Sequence, residues 1–72
     1  MTLQAFDSMG QPVNSGDKIL DFRGVQATFV RASRARTSDG RSGKVVVKWI
    51  DSIALYECEY YDKVFDLFVK DI

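Results

Sequence analysis

The chain is 72 residues long, 46% hydrophobic, 12% aromatic and 28% charged, which is enough for one small domain, residues 1–72, and leaves no room for a second. Ten Lys and Arg balance ten Asp and Glu, and this excludes the strongly basic balance of a dedicated nucleic-acid binder. A single cysteine, Cys58, rules out an internal disulfide, and the lack of histidine removes the commonest zinc ligand and imidazole base.

A domain of this size hides only roughly 60% of the surface that its unfolded form exposes, so it depends on a dense core or a partner. Cysteine usage points to a reducing, cytoplasmic compartment. Apolar runs such as Val45-Val46-Val47 fall far short of the roughly 20 residues a membrane span requires. Gln4 and Asp7 stand where a signal peptide would be continuously apolar. The expectation is a soluble protein that keeps its N-terminus.

Residues 1–15 read as an N-terminal arm or small hairpin, with turn residues at Asp7-Ser8-Met9-Gly10 and again at Asn14-Ser15-Gly16-Asp17. Lys18 to Phe22 reads as a strand that stops at Arg23-Gly24, where glycine permits a positive φ. Val25 to Ala32 is rich in β-branched and aromatic residues, and its alternation puts Ala27 and Phe29 inside and Gln26, Thr28 and Val30 on the other face. Residues 33–43 contain no apolar residue larger than alanine, and are expected to be a mobile basic loop.

Lys44 to Ile50 resumes as a strand, its lysines four apart marking a wet face and sending Val45, Val47 and Trp49 to the other. After a turn at Asp51-Ser52, Leu55 to Tyr61 alternates with Glu57 and Glu59 on one face and Tyr56, Cys58 and Tyr60 on the opposite one. Asp62 is suited to cap a single 3₁₀ turn, after which Phe65, Leu67 and Val69 recur at strand spacing in a closing strand. The sum is an all-β chain of five to six short strands with one long basic loop and a 3₁₀ turn before the last strand, the economy of a small SH3-like barrel.

Gly16-Asp17-Lys18-Ile19, followed by Asp21-Phe22-Arg23-Gly24 and Ala27-Thr28-Phe29-Val30, is similar to the opening of KOW-type and Tudor-type SH3-like modules. These segments, with Ser33-Arg34, Gly43 to Trp49 and Glu59 to Leu67, also resemble small uncharacterised proteins encoded by tailed phages of actinobacteria. The resemblance implies a phage origin, a bacterial host cytoplasm and an SH3-like fold. A KOW motif would normally carry a further glycine near Val25 to Ala27, and here there is none.

Charge is unevenly placed along the chain. Residues 31–48 hold Arg31, Arg34, Arg36, Arg41, Lys44 and Lys48 against Asp39, whereas residues 51–72 hold six acids against Lys63 and Lys70. The domain is therefore expected to be bipolar if the two segments keep to separate faces. Arginines in such a loop pair bidentately with carboxylates or phosphates. Phe22, Phe29 and Phe65 are expected in the core, while Trp49, Tyr56 and Tyr60 combine large area with one polar end and suit an interface.

Glu57 and Glu59 are expected to pair with Lys44 and Lys48 across the sheet, and Cys58 to be a small buried residue. No catalytic residue, cofactor or metal is expected. The pattern points to a binding module whose partner is a host or phage protein, contacted through Arg34, Arg36, Arg41, Lys44, Trp49, Tyr56 and Tyr60. The loop arginines are expected to add little to stability. Alternatives are a nucleic-acid binder using the same arginines, or a self-associating structural protein such as a homodimer; no membrane association is expected.

Overall fold

A computed structural model describes residues 2–49 and 56–72. Among them are seven strands: β1 Leu3–Phe6, β2 Pro12–Val13, β3 Lys18–Leu20, β4 Gln26–Arg34, β5 Lys44–Trp49, β6 Cys58–Tyr61 and β7 Phe68–Asp71. One 3₁₀ helix, Asp62–Phe65, joins β6 to β7. The chain is all-β, as its alternation and β-branched content require. Ile50, the turn expected at Asp51-Ser52, and Leu55 lie outside the described residues.

Among the described residues the strands form two antiparallel sheets, β2-β1-β7 and β3-β4-β5-β6, that do not close into one barrel. β1 and β2 make the N-terminal hairpin, with Ala5 opposite Val13, and β7 pairs with the other side of β1. β4 is the longest strand, and the structure carries it through Ser33 and Arg34 into the segment expected to be loop, because Arg34 pairs with Lys44. Its register shifts twice, between Phe29 and Arg31 and between Ala32 and Arg34. Such bulges bend a strand and raise its twist. The bent end reaches the other sheet, where the Arg36 N–H donates to the Val69 carbonyl at 3.0 Å.

The core lies between the sheets. Ala5, Val13 and Val69 face Ile19, Ala27, Phe29, Val45 and Val47, and the 3₁₀ segment adds Phe65 and Leu67. Val46 points to the outer face yet is also buried. It is flanked in register by Arg31 and Glu59, and Arg31 reaches Glu57 while Glu59 reaches Ser33 and Lys44 beside it. Long charged side chains cover apolar surface in this way.

Phe22 overturns its expected core position, being 81% exposed. The reason is the period of two: with Ile19 inside, Asp21 also points inward, and Leu20 and Phe22 point out. The strand ends at Leu20, and residues 21–25 form a turn in which Gly24 has φ 82°. Phe29→Ala should destabilise the domain by about 3–5 kcal/mol, a large share of the roughly 4–11 kcal/mol available to a chain of this length. Phe22→Ala should leave the urea midpoint nearly unchanged, and the two midpoints measured side by side test the assignment.

Candidate functional site

Residues 35–43 carry no apolar side chain larger than the Ala35 methyl, which packs against the core, yet their polar groups are tied down. Arg34 donates from Nε and Nη2 to the Ser42 carbonyl at 3.1 and 2.7 Å. At the tip, Thr37 N–H donates to the Arg41 carbonyl, the Arg41 N–H returns to Thr37 Oγ1, and the Thr37 hydroxyl bonds the Asp39 carboxylate. The backbone and side-chain bonds replace the missing hydrophobic burial.

Arg36 is the strongest of these ties. Its Nε donates to Asp62 Oδ2 at 2.8 Å, and its Nη2 donates to the Leu67 carbonyl at 3.0 Å. The guanidinium lies 4.1 Å from the Phe68 ring centroid. Asp62 is fully buried, and its Oδ2 also accepts the Val69 N–H at 3.2 Å. It was expected to cap the 3₁₀ turn, but the cap position falls on Tyr61, which makes no side-chain capping bond. The Asp62 side chain turns toward Arg36 instead.

Gly43 is required at this point. A Cβ there would stand 2.7 Å from the Arg34 carbonyl, 2.8 Å from Asp62 Oδ2 and 2.9 Å from Val69 Cβ. The Gly43 carbonyl also accepts the Asp62 N–H at 2.9 Å. The small residue lets the loop approach the buried carboxylate.

Two further cations of the basic segment, Lys44 and Arg31, meet the acidic segment across the sheet. Lys44 Nζ is 3.5 Å from Glu59 and 5.5 Å from the Tyr61 ring centroid. Arg31 pairs with Glu57 at 3.1 Å, which corrects the expected Lys48 partner. The Glu59 carboxyl is held below its usual range chiefly by the Ser33 hydroxyl, against the opposing effect of burial and with help from the Lys44 and Arg34 charges. Basic and acidic segments therefore interleave, and the expected separation into two charged faces does not occur.

Nor do the seven residues expected at one partner site meet on one surface. Lys44 pairs with Tyr61 on the outer face, while the next pair, Val45 and Tyr60, faces inward. Trp49 lies opposite the buried Ala27 and donates from Nε1 to Tyr60 Oη at 2.9 Å. Its ring is 5.5 Å from that of Tyr60 and 5.6 Å from that of Phe65, so Trp49 and Tyr60 seal the core's edge. Tyr56 is 75% exposed, Arg41 is exposed, and Cys58 is half-buried rather than fully so.

A second structured feature was not expected from sequence. The buried Asp21 carboxylate accepts the Arg23 and Val25 N–H groups at 2.8 and 2.9 Å, and Arg23 Nε and Nη2 close on Oδ2 at 2.9 and 2.8 Å. The Phe22 N–H is fixed to the Val64 carbonyl at 3.0 Å. Phe22 thus stands in solvent on a rigid turn, with the Arg23 guanidinium 5.7 Å from its ring and 5.9 Å from that of Trp49. The legible signal was Asp21 followed three residues later by Gly24, a spacing that suits an Asp-anchored turn.

No family model, curated protein or solved structure matches this chain.

Arg36→Ser should cost toward the lower end of about 3–5 kcal/mol, because it strands a buried carboxylate whose partner is itself partly exposed, whereas Arg41→Ser should cost under about 0.5 kcal/mol. Urea denaturation of both variants decides between a structural and a dispensable loop. The Asp21 carboxyl is also held below its usual value: burial pushes it up, but the hydrogen bonds from Val25 and Arg23 and the Arg23 charge together outweigh it. A carboxyl whose folded pKa is depressed stabilises the fold fully above about pH 4 and loses that contribution as pH falls through the folded value. Asp21→Asn should therefore lower stability at pH 7, and the gap to the parent should narrow as pH falls below the ordinary aspartate range; a gap that does not change with pH would count against the ion pair.

Proposed function

We propose that this chain is a non-catalytic, phage-encoded binding module of SH3-like type that engages a host or phage protein in the bacterial cytoplasm. The observation that supports it best is Phe22, a large apolar ring 81% exposed on a turn held by a buried carboxylate. Aromatic side chains presented on rigid supports are the usual anchors of protein interfaces, since they bury large area at little entropic cost. Arg23 beside it, although its Nε and Nη2 are held by Asp21, keeps Nη1 to pair with a partner carboxylate, and Tyr56 offers another exposed aromatic ring.

The contact surface is therefore moved from the loop arginines to the turn. Arg36 is committed to Asp62 and Arg34 to Ser42, and Lys44 is paired with Glu59. These commitments also weaken the nucleic-acid alternative, which needs the same groups free for phosphate.

Tagged protein and its Phe22→Ala variant, applied to host lysate with and without nuclease at low and high salt, test the reading. The expected outcome is a protein partner that survives nuclease and is recovered about 30-fold less by the variant. Recovery that disappears with nuclease would replace this reading with the nucleic-acid one.

A further inference from the structure

We propose that the cleft between β2 and β3 is a docking groove for a short extended segment of a partner protein carrying lysine or arginine at alternate positions. The inference rests on the reading of the chain as a protein-binding module and names the chemistry of what it binds.

β2 and β3 are edge strands of different sheets, and a cleft of about 510 Å³ separates them. Its floor is apolar, formed by Val13, Ile19, Phe65 and Leu67. The two walls differ in what they offer. β2 is two residues long and contains Pro12, which has no N–H to donate. β3 presents a usable edge. Phe29 N–H donates to the Asp17 carbonyl and Asp21 N–H to the Val25 carbonyl, so the ladder to β4 runs through odd-numbered residues of this stretch. The alternation of an antiparallel pair then turns the peptide groups of Lys18 and Leu20 away from β4.

The chain already uses the same row once. The Phe22 N–H is next in that sequence of outward groups, and it is taken by the Val64 carbonyl of the 3₁₀ segment. Lys18 and Leu20 continue the row along the cleft, and an added strand would meet their N–H and C=O groups as a sheet edge meets any strand.

Charge selects the occupant. Asp7, Asp17 and Asp66 line the cleft against the one cation Lys18, and among the described residues none of the three carboxylates is in an ion pair. Asp7 accepts its turn N–H groups through Oδ1 alone, and Asp17 accepts that of Asn14 through Oδ2. The other oxygen of each is left for an incoming cation. In an extended peptide, alternate side chains point to opposite sides, so apolar residues would meet the floor while basic ones meet the rim.

The test is amide hydrogen exchange, read by NMR, with the peptide Lys-Val-Lys-Val-Lys, its counterpart Glu-Val-Glu-Val-Glu, and the basic peptide N-methylated at alternate residues in each register. The basic peptide should slow exchange at Lys18 and Leu20 at least about tenfold, one N-methylated register should abolish this, and the acidic peptide should do nothing. Asp17→Asn with Asp66→Asn, which keeps the turn acceptor and a residue tolerant of the left-handed φ of 56° at position 66, should weaken the basic peptide about tenfold.

Equal binding of the acidic peptide, or binding that leaves both amides unprotected, would overturn the groove. So would protection that grows with protein concentration alone, which would make the occupant a second copy. If the amides stay unprotected while Phe22→Ala still abolishes protein capture, the groove falls and the binding-module reading stands. Protected amides without captured protein would mean the reverse.

Discussion

A carboxylate removed from water needs a compensating charge and a full set of donors, and much of this domain is arranged around meeting that need for Asp62. Arg36 supplies the charge, the Val69 N–H supplies a further donor, and Gly43 gives the loop room to approach. The same side chains join parts of the chain that no single ladder connects. Arg36 lies two residues past the end of β4, Asp62 opens the 3₁₀ turn after β6, and Val69 lies in β7. Between them they hold the two sheets together at one end, where the apolar core alone would leave a small domain weakly closed.

That arrangement changes what the uneven charge of the chain means. The basic stretch and the acidic stretch look like two surfaces when read along the sequence, but antiparallel pairing of β4, β5 and β6 sets them side by side. Arg31 with Glu57, Lys44 with Glu59 and Arg36 with Asp62 are all links between the two segments. The exposed pairs contribute little to stability individually, yet they cover Val46 and fix the register of the outer face. A loop rich in arginine is here mainly an internal fastening.

The surface proposed for a partner lies along β3 and the turn that follows it, which the Phe22 N–H ties to the Val64 carbonyl of the same 3₁₀ segment that Asp62 opens. Phe22 is presented outward there, and Lys18 and Leu20, whose peptide groups point outward, border the cleft. The buried Asp21 serves this surface much as Asp62 serves the core, by satisfying the turn's donors so that the backbone holds one shape. Both buried acids are thus structural, and the surface they support is aromatic and edge-exposed rather than basic.

The middle of each main strand, the inward residues Ala27, Phe29, Val45 and Val47, the turn at Gly24 and the 3₁₀ turn before the final strand were legible in the sequence, because period-two alternation and turn chemistry are local properties, whereas strand ends were not: β3 stops at Leu20, β4 runs on through Arg34 and β6 starts at Cys58. Even the misplaced Phe22 was legible in principle, since it shares its face with Leu20 and not with Ile19. The partnership of Arg36 with Asp62, the need for glycine at position 43 and the opening between β2 and β3 were decided only by the tertiary structure. Each depends on groups 19 to 26 residues apart, or on which strands fail to pair, and neither residue type nor local spacing determines which distant charge or edge a folded chain will bring alongside.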